Sequence, residues 1–252
     1  MTEQGHLTIR GVTKAFGDVA VLDGIDLDLP PGQIVSILGP SGSGKSTLLS
    51  VLTGSTTPDG GEVLVDGEPL ARAGRPFAFM PQRDALLPWR RIVDNAAIGL
   101  EVAGSSRKDA RAAASELFET FGLAGTERQY PRQLSGGMRQ RVSLLRTVVQ
   151  GRPVLLLDEP FGALDAITRD ELQQWLLSMW REHRWTILLI THDIREAVLL
   201  SDQVLVFSKR PACVVDSVTI DRDIPRDETI GLDPRVPHLE ARLHKALTHG
   251  SR

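Results

Sequence analysis

Hydrophobic residues form four short, continuous runs along the chain, at Ile34–Leu38, 154–157, Thr186–Thr191 and Gln203–Phe207. Continuous runs of this length are typical of strands covered on both faces in a parallel sheet, whereas half-exposed strands alternate. Segments with helical spacing separate several of the runs. The pattern therefore predicts an α/β core with a mainly parallel sheet.

Two of the helical segments adjoin these runs. Residues 45–53 follow the first run after a short glycine-rich segment and are closed by Gly54, a residue type that commonly ends helices. Residues 167–183 form the second segment, one face of which carries Leu172, Trp175, Leu176 and Met179. We expect these side chains to pack in the core.

Other parts of the chain have different patterns. Short or alternating runs at 7–10, 26–29 and 62–65, bounded by Gly and Pro, predict a flanking antiparallel β layer. Together with the four runs, this layer assigns residues 1–86 and 151–221 to one core unit.

Residues 87–150 carry helical patterns and no convincing strand, which predicts an α-helical subdomain inserted into the core unit. Ser106 and Asp109 resemble a capping box, and Gly122 is expected to end the helix that they open. One face of that helix carries Ala110, Ala114, Leu117 and Phe121. Residues 222–252 form a short C-terminal extension, predicted as loop up to 237 and as an amphipathic helix over 238–247. Its pattern indicates only packing or contact between protomers.

Composition narrows the class of protein. The chain has 252 residues, 41% of them hydrophobic and 24% charged, as in ordinary soluble globular proteins. A net charge of −3 gives no sign of a nucleic-acid-binding face. The single cysteine, Cys213, excludes an internal disulfide, fits a reducing compartment and is expected in a partly buried strand. The first residues lack a signal-peptide pattern, and no apolar run is long enough for a bilayer, so we expect no membrane crossing.

The sequence GPSGSGKS lies between the first hydrophobic run and the first helix. Its glycines allow backbone N–H groups and the helix N-terminus to face an anion. Lys45 would neutralise the β and γ phosphates, and the Ser46 hydroxyl would bind Mg²⁺. A flexible Gly/Ser turn would not account for the strand and helix on either side. We therefore predict a phosphate-binding loop (P-loop) whose nucleotide-binding residues are Gly39, Pro40, Ser41, Gly42, Ser43, Gly44, Lys45, Ser46 and Thr47.

Two acids, Asp158 and Glu159, end the second hydrophobic run. An acid that caps a following helix would be the structural alternative. In the functional interpretation, Asp158 contributes to the Mg²⁺ site, while Glu159 faces the attacking water as general base or polarising group.

The sequence LSGGMRQR at residues 134–141 holds a Ser and two adjacent glycines but no acid, histidine or metal ligand. Together with the P-loop and the acidic strand end, it resembles the ATP-binding-cassette (ABC) family, whose signature is L-S-G-G-Q followed by a helix. The order of motifs fits that family from about residue 7 to residue 207. Met138 replaces the usual glutamine of the signature.

The resemblance implies roles for further residues. Phe16 would stack on adenine in place of a more common tyrosine, and Gln82 would sense Mg²⁺ and the γ phosphate. Asp165 would lie in a loop between protomers, and His192 would be the switch histidine that contacts the γ phosphate. Taken singly, Phe16 could be a core filler, Gln82 a surface polar residue and His192 a strand-end histidine.

In the family, two chains pack head to tail, so that each ATP lies between the P-loop of one chain and the signature of the other. Ser135, Gly136, Gly137 and Met138 would then face the nucleotide of the partner. Hydroxyl and N–H donors at a helix N-terminus suit that task, which needs no acid or base. The alternative is a helix-capping Ser followed by a hinge.

The implied partners are a second copy, transmembrane permease subunits and, indirectly, a solute-binding protein, with no nucleic acid. Leu87, Pro88 and Trp89 would contact the permease, although Trp89 could instead fill the subdomain core. LLPW, VDN and PFGALDAITR resemble importers for nitrate, sulfonate, taurine and thiamine-precursor pyrimidines. The expected protein is thus an ATPase subunit at the cytoplasmic face of the membrane. The alternatives are an ABC exporter, a soluble ABC ATPase in DNA repair or translation, and a non-hydrolysing regulatory cassette.

Overall fold

The computed structural model describes residues 5–227 and 229–249, which form two β-sheets and seven α-helices. The strands are β1 (Leu7–Phe16), β2 (Val19–Leu29), β3 (Ile34–Leu38), β4 (Gly60–Val65), β5 (Glu68–Pro69), β6 (Phe77–Met80), β7 (Val154–Asp158), β8 (Thr186–Thr191), β9 (Gln203–Phe207) and β10 (Val214–Thr219). The helices are α1 (Lys45–Leu52), α2 (Ile92–Val102), α3 (Arg107–Glu116), α4 (Gly136–Val148), α5 (Ala166–His183), α6 (Ile194–Leu200) and α7 (Arg235–His249).

The larger sheet has the order β10-β9-β3-β8-β7-β6, and all of its neighbouring pairs are parallel except β10 with β9. The smaller sheet is antiparallel, with the order β2-β1-β4-β5. The predicted α/β fold class with a flanking antiparallel layer is confirmed.

Both faces of the larger sheet are covered, which is why its central strands are continuously hydrophobic. Leu155 and Leu157 of β7 pack on the face that carries α2 to α5. Leu156, between them, packs on the opposite face against α1 and the antiparallel sheet. The four predicted runs are β3, β7, β8 and β9.

Two strands of the larger sheet, β6 and β10, were not predicted. β6 has only four residues and is an edge strand, so its sequence offers too few positions for a pattern. β10 alternates exposed and less exposed residues because it lies at the other edge, and Cys213 lies half-buried just before it rather than in a strand. β1 and β2 are also longer than predicted, since Gly11 and Gly24, at φ 54° and 68°, accompany register shifts that break the alternation.

The structure describes all of residues 87–150. They contain α2, α3, α4 and a 3₁₀ turn and no strand, as predicted. Ser106 caps α3 by accepting a hydrogen bond from the Asp109 N–H at 3.2 Å. The prediction that this helix runs to Gly122 is wrong: α3 ends at Glu116, and Leu117 to Gly122 form turns that bury Phe121. The division into core, helical subdomain and extension stays a prediction.

The helix of the C-terminal extension, α7, begins at Arg235, three residues before the predicted start. Pro237 is compatible with this because the first turn of a helix needs no intrahelical N–H partners. Val236 and Leu243 pack with residues of α6, β9 and β10, so the extension is part of a third hydrophobic cluster.

A buried ion pair fastens the extension to the core sheet. Arg226 Nη2 donates to Asp202 Oδ1 at 2.9 Å, while Asp202 Oδ2 accepts from the Ile34 N–H of β3 at 2.9 Å. Both side chains are buried, and the Arg226 guanidinium lies 5.4 Å from the Trp180 ring centre.

Arg226→Ala is expected to destabilise the protein by roughly 3–5 kcal/mol, because it leaves the Asp202 carboxylate buried without its main charge partner. Chemical denaturation measures this change. The matched control is Arg222→Ala: Arg222 approaches the same carboxylate at 4.0 Å but is 75% exposed, so its loss should cost at most about 1 kcal/mol. Equal losses for the two variants would show that burial of the pair is unimportant.

Candidate functional site

The P-loop connects β3 to α1 as predicted, with Gly42 and Gly44 at φ 77° and 109°. A Cβ on Gly44 would lie 3.0 Å from Leu22 Cδ2 and 3.1 Å from Val21 O. Only glycine therefore fits this turn without strain. The turn aims the N-terminus of α1 at the concave side of the loop, where backbone N–H groups can bind an anion.

Lys45 lies across the mouth of this loop. Its Nζ donates to Gly39 O at 2.6 Å and to Pro40 O at 2.9 Å. Burial lowers the pKa of Lys45, and the nearby carboxylates of Glu159 and Asp158 oppose that shift. An anion bound in the loop would favour the charged amine in the same way as these carboxylates do.

The other loop residues differ in accessibility. Ser41, Gly42 and Ser46 are exposed, Pro40 and Thr47 are half-buried, and the Ser43 Oγ is buried without a hydrogen-bond partner among the described residues. An orphaned hydroxyl inside a phosphate-binding loop fits a site that a polar ligand completes.

Glu159 lies at the carboxyl edge of the larger sheet, one residue beyond β7, which lies between β8 and the edge strand β6. Gln82 Nε2, two residues beyond β6, donates to Glu159 Oε2 at 2.8 Å. His192 Nδ1, one residue beyond β8, lies 3.1 Å from the same oxygen. Ligands bind at this edge in open α/β sheets. The structure thus brings together three residues that are separated in sequence and that were each predicted for the site.

The backbone holds Glu159 in an unusual conformation. Its φ is 45°, and its N–H donates to Ile190 O of β8 at 2.9 Å. A non-glycine residue in this region is strained and persists only where the surroundings impose it. Asp158, its neighbour, has a pKa raised to about 6, mainly by burial and then by the charge of Glu159, with Lys45 acting in the opposite direction.

The signature segment forms the N-terminus of α4. Ser135 caps the helix by accepting from the Met138 N–H at 3.2 Å, and Ser135 and Gly136 are both exposed. Gly137 is buried, and a Cβ on it would lie 2.6 Å from Thr168 Cγ2 of α5. The two glycines therefore lie in different environments. Gly136 faces solvent, and Gly137 permits close packing between α4 and α5.

Asp165 is the N-cap of α5. Its carboxylate accepts from the Thr168 N–H at 3.1 Å and from the Thr168 hydroxyl at 2.8 Å, and these bonds lower the pKa of Asp165. This cap lies beside the signature segment, because Thr168 also faces Gly137.

The loop between Gln82 and α2 is fastened to the signature helix by residues that sequence analysis missed. Arg139 Nε donates to Asp84 Oδ2 at 3.0 Å, and Arg146 donates to Asp84 O at 2.7 Å and to Ala85 O at 2.9 Å. Gln140 of the same helix donates to Pro160 O, next to Glu159. Arg139 belongs to LSGGMRQR and Arg146 follows it, but nothing in the sequence indicates acceptors that lie 55 or more residues away.

Trp89 and Phe16 are both exposed, at 72% and 53%. The alternatives in which each fills a core are therefore wrong. The loop that presents Trp89 is itself well ordered by Asn95, which is buried and bonds through Nδ2 and Oδ1 to the backbone of residues 87, 90 and 91. Pro88 is exposed as well, and Leu87 is half-buried.

One cavity lies at the P-loop and another lies elsewhere in the described part of the chain. The first, of about 360 Å³, is lined by Gly39, Pro40, His192 and by His244, Leu247 and Thr248 of α7. The C-terminal helix thus reaches the P-loop, which its sequence did not indicate. The other cavity, about 760 Å³, lies away from the P-loop and extends from the end of α1 to the edge strand β6.

A P-loop at the carboxyl edge of a parallel sheet, next to a half-buried acid pair, defines a nucleoside-triphosphate-binding protein. The profile of the ABC transporter family matches residues 22–162, which span the P-loop, the signature segment and Glu159. The chain belongs to the ABC transporter family.

Curated relatives cover most of the chain. It is 43% identical to the aliphatic sulfonates import ATP-binding protein SsuB 2 of Pseudomonas aeruginosa, over 94% of this chain and 82% of that protein. It is 42% identical to the taurine import ATP-binding protein TauB of Yersinia pestis, over 85% of this chain and 84% of TauB. It is 41% identical to the formylaminopyrimidine import ATP-binding protein ThiZ of Halalkalibacterium halodurans, over 87% of this chain and 86% of ThiZ.

Among solved structures, the chain is similar to the dimeric structure of MJ0796, a bacterial ABC transporter cassette. The TM-score is 0.72 at 29% identity, over 85% of this chain and 99% of that one. The predicted P-loop NTPase fold is confirmed. Among the described residues, none of the helices is both long and apolar enough to cross a bilayer.

Proposed function

We propose that this chain is the ATP-hydrolysing subunit of an ABC importer and that it works as a head-to-tail dimer bound to permease subunits. The observation that carries this proposal is the convergence of Gln82 and His192 on one oxygen of Glu159, beside a P-loop. The names of the relatives, which are import subunits, favour import over export and over a soluble role in DNA repair or translation.

ATP would bind with its phosphates in the P-loop and its adenine near the β1–β2 hairpin. Val21 and Leu22 of β2 lie against Gly44, and Phe16 pairs with Val19 at the tip of the same hairpin. An exposed ring at this tip suits stacking on adenine. Binding would draw Lys45 from the loop carbonyls to the β and γ phosphates.

The residues also fit Mg²⁺, which takes oxygen ligands and prefers one or two carboxylates together with phosphates. Ser46 offers a hydroxyl and Asp158 a carboxylate. Gln82 offers its amide oxygen, because its Nε2 is the atom that contacts Glu159. The raised pKa of Asp158 is that of a half-buried carboxyl beside a second acid, and a nearby cation would lower it. When bound, Mg²⁺ would neutralise charge on the phosphates.

Glu159 acts as the base in this proposal. Gln82 and His192 both hold Oε2, and no described residue donates a hydrogen bond to Oε1. Oε1 is therefore available to accept a proton from water as the water attacks the γ phosphate. The strained backbone and the fixed Oε2 keep this oxygen in one direction, which lowers the entropic cost of reaching the transition state.

A dimer is needed because the P-loop surrounds the phosphates from one side only. The partner's signature would add the Ser135 hydroxyl and the free N–H groups at the start of α4. The solved dimeric structures of MJ0796, one of them described as a post-hydrolysis state with ADP and phosphate, support this arrangement. Hydrolysis would remove the γ phosphate that joins the two surfaces, so that the dimer opens and moves the permease.

The solute is proposed to be a small sulfonate, taurine or a thiamine-precursor pyrimidine, by analogy with the named relatives. The chain would lie at the cytoplasmic face of the membrane, attached through its permease. Trp89 would be the main contact with the permease, because it is a large exposed aromatic side chain on a loop held by Asn95 and by the signature helix.

Trp89→Ala is expected to weaken binding to the permease by about 30-fold, the loss of roughly 2 kcal/mol that is typical when an aromatic anchor is removed. The affinity of the purified chain for permease vesicles and the ATP-driven uptake of sulfonates into such vesicles measure the effect. Val102→Ala is the matched control, since Val102 is 73% exposed at the end of α2. If permease binding is unchanged by Trp89→Ala, the docking surface lies elsewhere; if ATP drives only efflux, the import assignment fails.

A further inference from the structure

A buried carboxyl group that the mechanism above does not use lies directly behind the switch histidine. Glu196 of α6 is only 5% exposed, although glutamate is rarely buried without a partner. Its Oε1 has no hydrogen-bond partner among the described residues. A buried, partly unsatisfied carboxyl costs stability, so its presence calls for an explanation.

The surroundings of Glu196 join three elements. Its Oε2 accepts from Gln173 Nε2 of α5 at 3.5 Å. The Thr191 side chain, at the end of β8, is close enough to lower the pKa of Glu196. Thr191 Oγ1 also accepts from the Asp193 N–H at 3.0 Å, and Asp193 Oδ1 accepts from the Glu196 N–H at 3.2 Å. His192 lies between Thr191 and Asp193, so one neighbour of the histidine interacts with the Glu196 carboxyl group and the other accepts from the Glu196 backbone N–H.

The α5 side of this cluster leads to the signature segment. Gln173 is buried on α5, and the same helix begins beside Asp165 and packs through Thr168 against Gly137. Arg169 of α5 donates to Leu164 O, in the loop that precedes the helix. A shift of the histidine loop would therefore be transmitted through Glu196 to the helix that supports the signature.

We propose that Glu196 is a positioning residue that ties the loop of His192 to helix α5 and so holds His192 against Glu159 during hydrolysis. This inference rests on the proposed role of Glu159 and His192 in ATP hydrolysis. It adds that, within one chain, the loop of His192 and the helix that supports the signature segment are linked by the buried contact between Glu196 and Gln173.

The charges around Glu196 predict that the rate of ATP hydrolysis depends on pH. Burial is the main cause that raises the pKa of Glu196 to about 8. Thr191 and Arg169 act to lower it, and Asp193 and Glu159 act to raise it. The group is therefore neutral at pH 7. Above pH 8 it becomes an anion that repels Glu159, and hydrolysis should slow.

The same shift has a consequence for stability. The pKa of Glu196 is higher in the folded protein than its ordinary value of 4.5, so the folded state holds this proton more tightly than the unfolded state. The associated stability is complete below about pH 4.5 and is lost as pH rises through about 8. Glu196→Gln cannot ionise and escapes this loss, so its stability relative to the native protein should increase over that interval.

The test compares Glu196→Gln with Glu196→Leu in the full chain, by measuring kcat and KM for ATP from pH 6.5 to 9. At pH 7 the Gln variant should hydrolyse ATP at close to the native rate, because it keeps the shape and neutrality of the native group. At pH 9 its kcat should exceed the native value by about tenfold, since about nine-tenths of Glu196 is ionised one unit above its pKa. The Leu variant should lose about 10-fold or more in kcat at every pH with little change in KM, because a misplaced group affects the transition state rather than substrate binding.

Glu171→Leu, a loss of an exposed carboxyl on α5, is the control and should leave both constants unchanged. A native kcat in the Leu variant, or equal losses in the Gln and Leu variants at pH 7, would overturn the positioning role. If the Leu variant does not fold, parallel pH profiles of the native protein and the Gln variant would overturn it instead. Absence of ATP hydrolysis by the native protein with its permease would overturn the proposed function itself, and this inference with it.

Discussion

Glu159→Gln is expected to lower kcat for ATP hydrolysis by about 10³-fold while ATP binding is retained, because a positioned general base contributes roughly 10²–10⁴-fold. The amide keeps the size of the carboxylate and can still contact Gln82 and His192, so the geometry survives. What is lost is the capacity of Oε1 to accept a proton. Since ATP can then bind but not react, the variant should accumulate as an ATP-bound dimer.

Steady-state phosphate release measures the rate, and size-exclusion chromatography with ATP and Mg²⁺ measures the dimer. Glu182→Gln is the matched control because Glu182 is an exposed glutamate of α5 with no contact to the site. It should behave as the native protein in both assays. Unchanged hydrolysis by Glu159→Gln would remove Glu159 from the role of base and leave the converging contacts of Gln82 and His192 unexplained.

The parts of the fold and site that sequence analysis predicted well are local. The P-loop is defined by eight consecutive residues whose glycines adopt the required backbone angles, and the buried strands are recognisable because both of their faces are apolar. The motif residues converge because the carboxyl ends of parallel strands meet at one edge. Gln82, Glu159 and His192 follow three such strands, so their meeting is a consequence of strand order.

The parts that were missed depend on tertiary neighbours. Arg139 and Arg146 find acceptors on Asp84 and Ala85 only because α4 packs beside the loop that follows β6. No local pattern marks such a pair, and β6 itself was overlooked because an edge strand of four residues has no periodicity to detect. β10 was not predicted because it is also an edge strand, and so the surface on which α7 packs was not predicted either.

Gly137 illustrates how one residue type can serve two needs. The sequence predicts that the glycine pair allows close approach of a nucleotide, and for Gly136 this stays a prediction. The structure gives Gly137 a second reason, since a side chain there would collide with Thr168 of the same chain. Substitutions at Gly137 would therefore confuse damage to packing with loss of phosphate contact, and Ser135 is the better site for an experiment.

Ser135→Ala is expected to lower kcat by about 10²-fold, the usual loss when one donor to a developing charge is removed. Ser106→Ala is a closely matched control: both serines cap a helix of the predicted helical subdomain and accept from a backbone N–H at 3.2 Å. Each substitution should cost about 1 kcal/mol of stability through the lost cap. Only the Ser135 variant should lose hydrolysis, which separates phosphate contact from helix capping. Equal activity of the two variants would reduce Ser135 to a structural cap.

Mixing the Lys45→Met and Ser135→Ala variants tests whether the Ser135 hydroxyl acts on the nucleotide of the partner chain. Lys45→Met removes the P-loop amine but keeps the signature, whereas Ser135→Ala keeps the P-loop but weakens the signature. In a head-to-tail dimer of one chain of each kind, one ATP site is intact and the other is damaged twice. An equal mixture should therefore recover about a quarter of native activity, since half of the dimers are mixed and each has one working site of two. If each P-loop used its own chain's signature, no mixture would recover activity, because every site would keep its defect.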